Sequence, residues 1–217
     1  MTRSVAALLT LLALPAIVAA TEARLLPGAG ARVGEIQEVL PFSAERLFRA
    51  IVDCKNYRDF MPFVRASDGE LEAAGTLLCQ QTLKVPLDRR ERSFAIRLTA
   101  ARRAGGTAIE YTSDWRLVDD SGPMAQSFGT WTLRQVAPDQ TFVRLRMLHD
   151  LGISPRLQNR ATLKSLPWIL DGLRQHVRRC RYDQPPAAGC RERPALAPRL
   201  RAEDEVDAAM SPGDRPR

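Results

Sequence analysis

Four cysteines (Cys54, Cys79, Cys180, Cys190) and two histidines (His149, His176) carry the strongest intrinsic chemistry in this chain. Thiolates and imidazoles close together would suggest a metal site. Here there is no CxxC pair, and the histidines stand apart from the cysteines in sequence, so no metal and no cofactor are expected. An even cysteine count in an exported chain points to disulfides, and four cysteines allow three pairings. Cys180 and Cys190 flank the loop RYDQPPAAG and would close it locally, a crosslink worth roughly 3 kcal/mol. Free buried thiols are the plainer alternative. Catalytic signatures are missing: there is no GxSxG, no HExxH and no glycine-rich phosphate loop. Asp114 and Glu110 share the outward face of one predicted strand, so they form no interior carboxylate pair for acid/base work. His149 follows the inward register at a strand end and reads as a hydrogen-bonded rim histidine. His176 lies beside an apolar stripe and reads as helix surface. No catalytic residue is assigned.

The residues before the domain read as a targeting segment. Arg3 precedes an apolar run, Val5 to Ala20, that ends in the small residues Val18-Ala19-Ala20. This is the layout of a secretory signal peptide, residues 1–20. The run is short against the roughly 20 residues of a membrane span, and an uncleaved N-terminal anchor is the alternative. The expected location is secreted or periplasmic. Removing residues 1–20 takes Arg3 away and lowers the formal charge from +7 to +6. The charge is mostly arginine, since only Lys55, Lys84 and Lys164 are lysines among the 32 basic residues. A basic chain can favour anionic partners. The arginines are spread without a dense run or aromatic interleaving, so no nucleic-acid partner is expected.

These residues must be positioned by regular elements. Residues 21–32 read as a linker. Val33–Leu40 has strand character and is stopped by Pro41-Phe42-Ser43. Ser43 suits a helix N-cap, Phe42 and Leu47 suit a hydrophobic staple, and Leu47, Phe48, Ile51 and Val52 share one helical face. After a break at 53–56, Tyr57, Phe60 and Met61 give a short second helix or turn limited by Pro62. From residue 66 the period becomes two, with separators such as Asp68-Gly69, Gly105-Gly106 and Pro138-Asp139, and Gly129 as a bulge position. Ser154 and Pro155 open a long helix whose stripe is Leu166, Ile169, Leu170, Leu173 and Val177, with Pro167 expected to kink or split it. Residues 183–217, rich in Pro, Arg, Ala and acidic side chains, read as a disordered tail. The fold class is α+β: an antiparallel sheet with one apolar face, covered by the C-terminal helix.

Two segments carry a family resemblance, VLPFSAERLFRAIVDCKNYRDFMPFV (39–64) and LKSLPWILDGLRQHVRR (163–179). With the order of elements, they make residues 33–182 resemble the START-like helix-grip superfamily (SRPBCC), in its polyketide cyclase/coenzyme Q-binding branch. The resemblance implies a curved sheet of about seven strands gripping the long helix around an apolar cavity. Inward strand positions would line it: Cys79, Gln81, Phe94, Ile96, Tyr111, Ser113, Trp115, Trp131, Leu145 and Met147. Phe60, Met61, Trp168 and Leu173 would close it from the helix side. Gln81, Tyr111 and Ser113 would orient a ligand in otherwise apolar walls. For each residue taken alone, plain core packing is the favoured reading. The resemblance also makes Cys54–Cys180 a rival to the local Cys180–Cys190 loop. The expected function is a non-catalytic exported binder or carrier of a hydrophobic small molecule, such as a lipid, quinone or polyketide-like compound. The expected state is a monomer with transient membrane contact. A cyclase/aromatase-type enzyme using His149 and Tyr111, and a protein-interaction module using the basic surface or tail, are the alternatives.

Overall fold

A computed structural model describes residues 21–73, 75–84, 91–105, 108–118, 124–179 and 201–202. Residues 1–20, read in sequence as a signal peptide, Cys180, Cys190 and nearly all of the 183–217 tail lie outside the described residues. The elements are β1 (Glu22–Leu25), β2 (Gly34–Leu40), α1 (Ala44–Val52), a 3-10 turn (Cys54–Asn56), α2 (Tyr57–Phe60), β3 (Val64–Ala73), β4 (Thr76–Leu83), β5 (Arg92–Gly105), β6 (Ala108–Leu117), β7 (Gln126–Ala137), β8 (Gln140–Asp150) and α3 (Pro155–Arg179). The strands form one sheet in the order β1-β2-β8-β7-β6-β5-β4-β3. Every neighbouring pair along it is antiparallel, and Arg201–Ala202 adds a short parallel rung to β5.

The α+β helix-grip architecture holds, with eight strands on the main path where about seven were expected. Two edge strands do not read as strands in the sequence. β1 lies in the stretch read as linker and pairs with β2 from Glu22↔Gln37 to Leu25↔Gly34. β3 runs through Asp68-Gly69, which reads in sequence as a separator. Nearly all of β3 is exposed or half-buried, so it lacks the apolar alternation by which an inner strand is recognised.

Local signals placed the helices well. Ser43 Oγ accepts from the Arg46 amide at 3.4 Å, capping α1, and the predicted face of Leu47, Phe48, Ile51 and Val52 is buried. α3 is one helix of 25 residues that passes through Pro167 without splitting. Pro167 has no N–H, so the Leu163 carbonyl loses its usual helical donor. The helix survives because Leu166, Ile169, Leu170, Leu173 and Val177 are almost wholly buried on the sheet and α1. Burial at about 1.5–3 kcal/mol per large apolar side chain outweighs the proline penalty of roughly 3 kcal/mol.

Two glycines mark close approaches. A Cβ on Gly172 would collide with the Phe60 backbone carbonyl, so α2 packs directly on α3. Gly129 is no bulge, because the β7 register runs straight through it. It is small because the Trp115 indole lies across it, where a Cβ would collide with the ring.

Candidate functional site

A cavity of about 90 Å³ lies between α3 and one end of the sheet. Its walls come from the segment after α2 (Met61, Pro62, Phe63, Val64), from β4 and β5 (Gln81, Leu83, Phe94), from the end of β8 (Met147, His149, Leu151), and from α3 (Gln158, Ala161, Thr162, Ser165, Ile169). The α3 contributions follow helical spacing, 158, 161–162, 165 and 169, so one face of its first half looks into the space. Phe63 has φ 69°, the left-handed region that a bulky side chain seldom adopts. That backbone costs of order 1–3 kcal/mol, and it turns the chain from α2 into β3 with Phe63 on the cavity wall.

His149 is the most chemically specific wall residue. Its Nδ1 is 2.8 Å from Ser127 Oγ, and its ring stacks at 6.3 Å from that of Trp115. Burial holds its pKa down at about 4, so the ring is neutral near pH 7. Gln158 Oε1 accepts from the Leu151 amide at 3.2 Å, while Ser165 Oγ donates to the Thr162 carbonyl at 3.0 Å. These bonds fix polar side chains that face an otherwise apolar space.

Of the cavity residues expected from sequence, Met61, Gln81, Phe94 and Met147 line this space. The others stand elsewhere. Tyr111 is buried under α1 with its ring 4.7 Å from that of Phe48. Phe60 packs between Tyr57 and His176, each with ring centroids 5.4 Å away. Ser113, Trp115, Trp131, Leu145, Ile96 and Leu173 belong to the packed core. Trp168 does not close the cavity from inside: it is 53% exposed on the outer side of α3 and touches Phe63 edge-on at 6.1 Å. The physical reason is that α1 drives Leu47, Phe48 and Ile51 onto the middle of the sheet. Inward positions there meet side chains, and the cavity keeps its space where β4 and β8 end and β5 begins.

His176 is likewise not on the surface. It is 1% exposed against Phe60, and burial lowers its pKa. The wall residues on α3, Gln158, Thr162 and Ser165, were missed in sequence. They continue the Leu166 stripe towards the N-terminus with polar side chains at helical spacing, and that was the readable signal.

Cys54 pairs with Cys79, joining the 3-10 turn to β4 across 25 residues. This corrects the Cys54–Cys180 pairing. The alternative of free thiols fails for these two cysteines. Gly69 on β3 makes the join possible, since a Cβ there would press on Cys54. Both sulfurs are in the core, where Cys54 is 3% exposed and Cys79 is 0% exposed.

Comparisons with known proteins agree on the fold. No family model and no curated protein sequence matches the chain. Among solved structures, it is similar to a STAR-related lipid transfer protein from Xanthomonas axonopodis, with 23% identity, 72% of this chain and 91% of that chain covered, and a TM-score of 0.62. It is similar also to human StAR-related lipid transfer protein 5, with 11% identity, coverage of 72% and 86%, and a TM-score of 0.55. A START superfamily protein from Mycobacterium smegmatis matches with 11% identity, coverage of 67% and 97%, and a TM-score of 0.52. The chain has the START-like helix-grip fold.

Proposed function

We propose that this chain is an exported, non-catalytic binder or carrier of a hydrophobic small molecule, a lipid, quinone or polyketide-like compound held between α3 and the sheet. The observation that carries this reading is the largely apolar cavity between α3 and the sheet, in a fold it shares with two structures described as lipid transfer proteins. At about 90 Å³ the cavity is well below the roughly 300 Å³ at which drug-sized pockets begin. A ligand therefore enters by displacing wall side chains, and the strained Met61–Val64 segment is the wall that gives way. Native mass spectrometry of gently purified protein, with Nile red binding, tests the reading. Ala161 lies at the cavity wall on the exposed side of α3, so Ala161→Phe fills the space with little effect on folding and abolishes Nile red capture. Undiminished capture by that variant would sink the cavity as the binding site.

Two parts of the proposal concern location. The buried Cys54–Cys79 crosslink fits an oxidising compartment, in keeping with the apolar segment at residues 5–20. An exported protein with Thr21 as its N-terminal residue, found by N-terminal sequencing, is the expected outcome. Transient contact with an anionic bilayer is supported by the outer stripe of α3 beside the cavity mouth. Arg156, Arg160, Lys164 and Trp168 recur there every four residues and are all exposed, with no acidic residue between Leu151 and Leu170. Co-sedimentation with phosphatidylglycerol vesicles, weakened at least threefold by Trp168→Ser, tests this part.

A second reading, acid/base chemistry on the bound molecule, is favoured only by neutral His149 on the cavity wall. Conversion of a cyclisable substrate, lost in His149→Gln with binding intact, is what that reading requires.

A further inference from the structure

The described cavity wall carries no formal charge at neutral pH. Its polar members are Gln81, His149, Gln158, Thr162 and Ser165, and burial keeps His149 neutral. Arg92 stands by the rim, where its Nη1 donates to the Leu151 carbonyl at 2.9 Å. A carboxylate or phosphate drawn into this wall would leave water without a buried counter-charge, which is strongly unfavourable.

Two buried donors on β6 have no acceptor, and one of them, Trp115, stacks on a wall residue. In one cross-strand row Met147 of β8 faces Gly129 of β7, which faces Trp115 of β6. Gly129 has no side chain, so the indole reaches across it towards Met147, and it stacks on His149. Met147 and His149 are both wall residues. Trp115 Nε1 is buried without a hydrogen-bond partner, and so is the Oγ of Ser113, the next inward residue on the same strand. Trp115 and Ser113 are 5% and 1% exposed. Buried polar atoms are almost always paired in native proteins, and an indole N–H only donates. Whatever satisfies Trp115 must therefore bring a lone pair.

We propose that the site selects apolar ligands ending in an uncharged oxygen group, a hydroxyl or carbonyl, and that this oxygen enters past Met147 to accept from Trp115 Nε1 and Ser113 Oγ beside His149. This rests on the cavity-binding reading above and gives it a chemical class. A hydroxyl suits the site best, since it can also donate to or accept from His149 Nε2 in either tautomer set by Ser127. A fatty carboxylate or phosphorylated lipid meets no buried counter-charge on the described wall.

The test uses the full chain, exported and oxidised, with two probes that share a C12 tail: 1-dodecanol and dodecanoate, titrated against bound Nile red at pH 7.5. Dodecanol is expected to displace the dye at a concentration at least tenfold lower than dodecanoate. Ser113→Ala, which is nearly isosteric, and Trp115→Phe should each weaken dodecanol about fivefold to tenfold with dodecanoate unchanged. Ser113→Ala keeps the test valid if the Trp115 variant folds poorly. Equal displacement, or a preference for dodecanoate, overturns the inference while Nile red capture leaves the binding reading standing. A dodecanol preference that neither variant weakens overturns the assignment to Trp115 and Ser113. Failure to capture Nile red at all removes both readings.

Discussion

Breaking the Cys54–Cys79 crosslink by reduction alone, with no atom removed from the core, isolates its effect on the unfolded chain. The half-cystines are 25 residues apart in sequence. For a loop of that size the chain-entropy relation gives about 3.5 kcal/mol at 25 °C. With a urea m-value of about 2 kcal/mol/M, the midpoint should fall by roughly 1.7 M. The protein to use carries Cys180→Ser and Cys190→Ser, so that one crosslink is in play. Urea titration of oxidised and dithiothreitol-reduced samples, followed by tryptophan fluorescence, reads the shift. The reduced form should also show a slightly larger m-value, because its unfolded chain is less constrained. Midpoints agreeing within about 0.3 M, or some 0.6 kcal/mol at that m-value, would refute the reasoning. They would mean that the turn after α1 is held to β4 by packing alone.

Other perturbations follow from the same geometry. Gly172→Ala should destabilise by about 1–3 kcal/mol, because the clash with the Phe60 carbonyl outweighs the roughly 1 kcal/mol that alanine gains in a helix; a thermal melt showing a rise would contradict the direct α2–α3 contact. His149 has its folded pKa near 4, below the unfolded value of about 6.5. The unfolded chain thus binds the extra proton first, and stability present above pH 6.5 is lost as pH falls towards 4, by up to about 3 kcal/mol. His149→Gln should flatten that part of the pH dependence in urea titrations at pH 5 and 7. Glu35 is 1% exposed. Its burial alone would raise its pKa, but hydrogen bonds and charge from Arg146 and Arg24, both 2.5 Å away, hold it below the usual carboxylate value. Its contribution is therefore present above the unfolded pKa and fades as pH falls through the folded one. Glu35→Gln should cost about 2 kcal/mol at pH 7 and make the acid limb shallower; an unchanged limb would show that the pair does not act. Trp168→Ser should leave the unfolding free energy from urea titration within about 0.5 kcal/mol of wild type, since the ring is largely in solvent.

How far the site was legible differs element by element. Ser43, the Leu47–Val52 face and the α3 stripe were readable because capping and helical period are properties of a few adjacent residues. β4 to β8 were readable because half-buried strands alternate. β3 escaped because an edge strand has little apolar side to display, and β1 because its four residues gain their structure only by pairing with β2. Inward strand positions such as Tyr111 and Met147 look alike in sequence. One is covered by Phe48 of α1 and the other faces the cavity, and nothing in their own strands distinguishes them. His176 was misplaced for a related reason: its burial depends on Phe60, more than a hundred residues away in the chain.

The sequence by itself determined the helices, the strands β2 and β4 to β8, the fold class, the helix start at Ser43 and the apolar stripes of α1 and α3. All of these follow from backbone periodicity and short-range hydrogen bonding. Tertiary structure alone decided that Cys54 meets Cys79, that Gly129 yields its space to Trp115, and that the cavity lies where β4 and β8 end and β5 begins rather than along the whole sheet. A cavity is what remains after side chains from distant elements have filled a shared volume. Its position is fixed by their summed shapes and not by any local pattern.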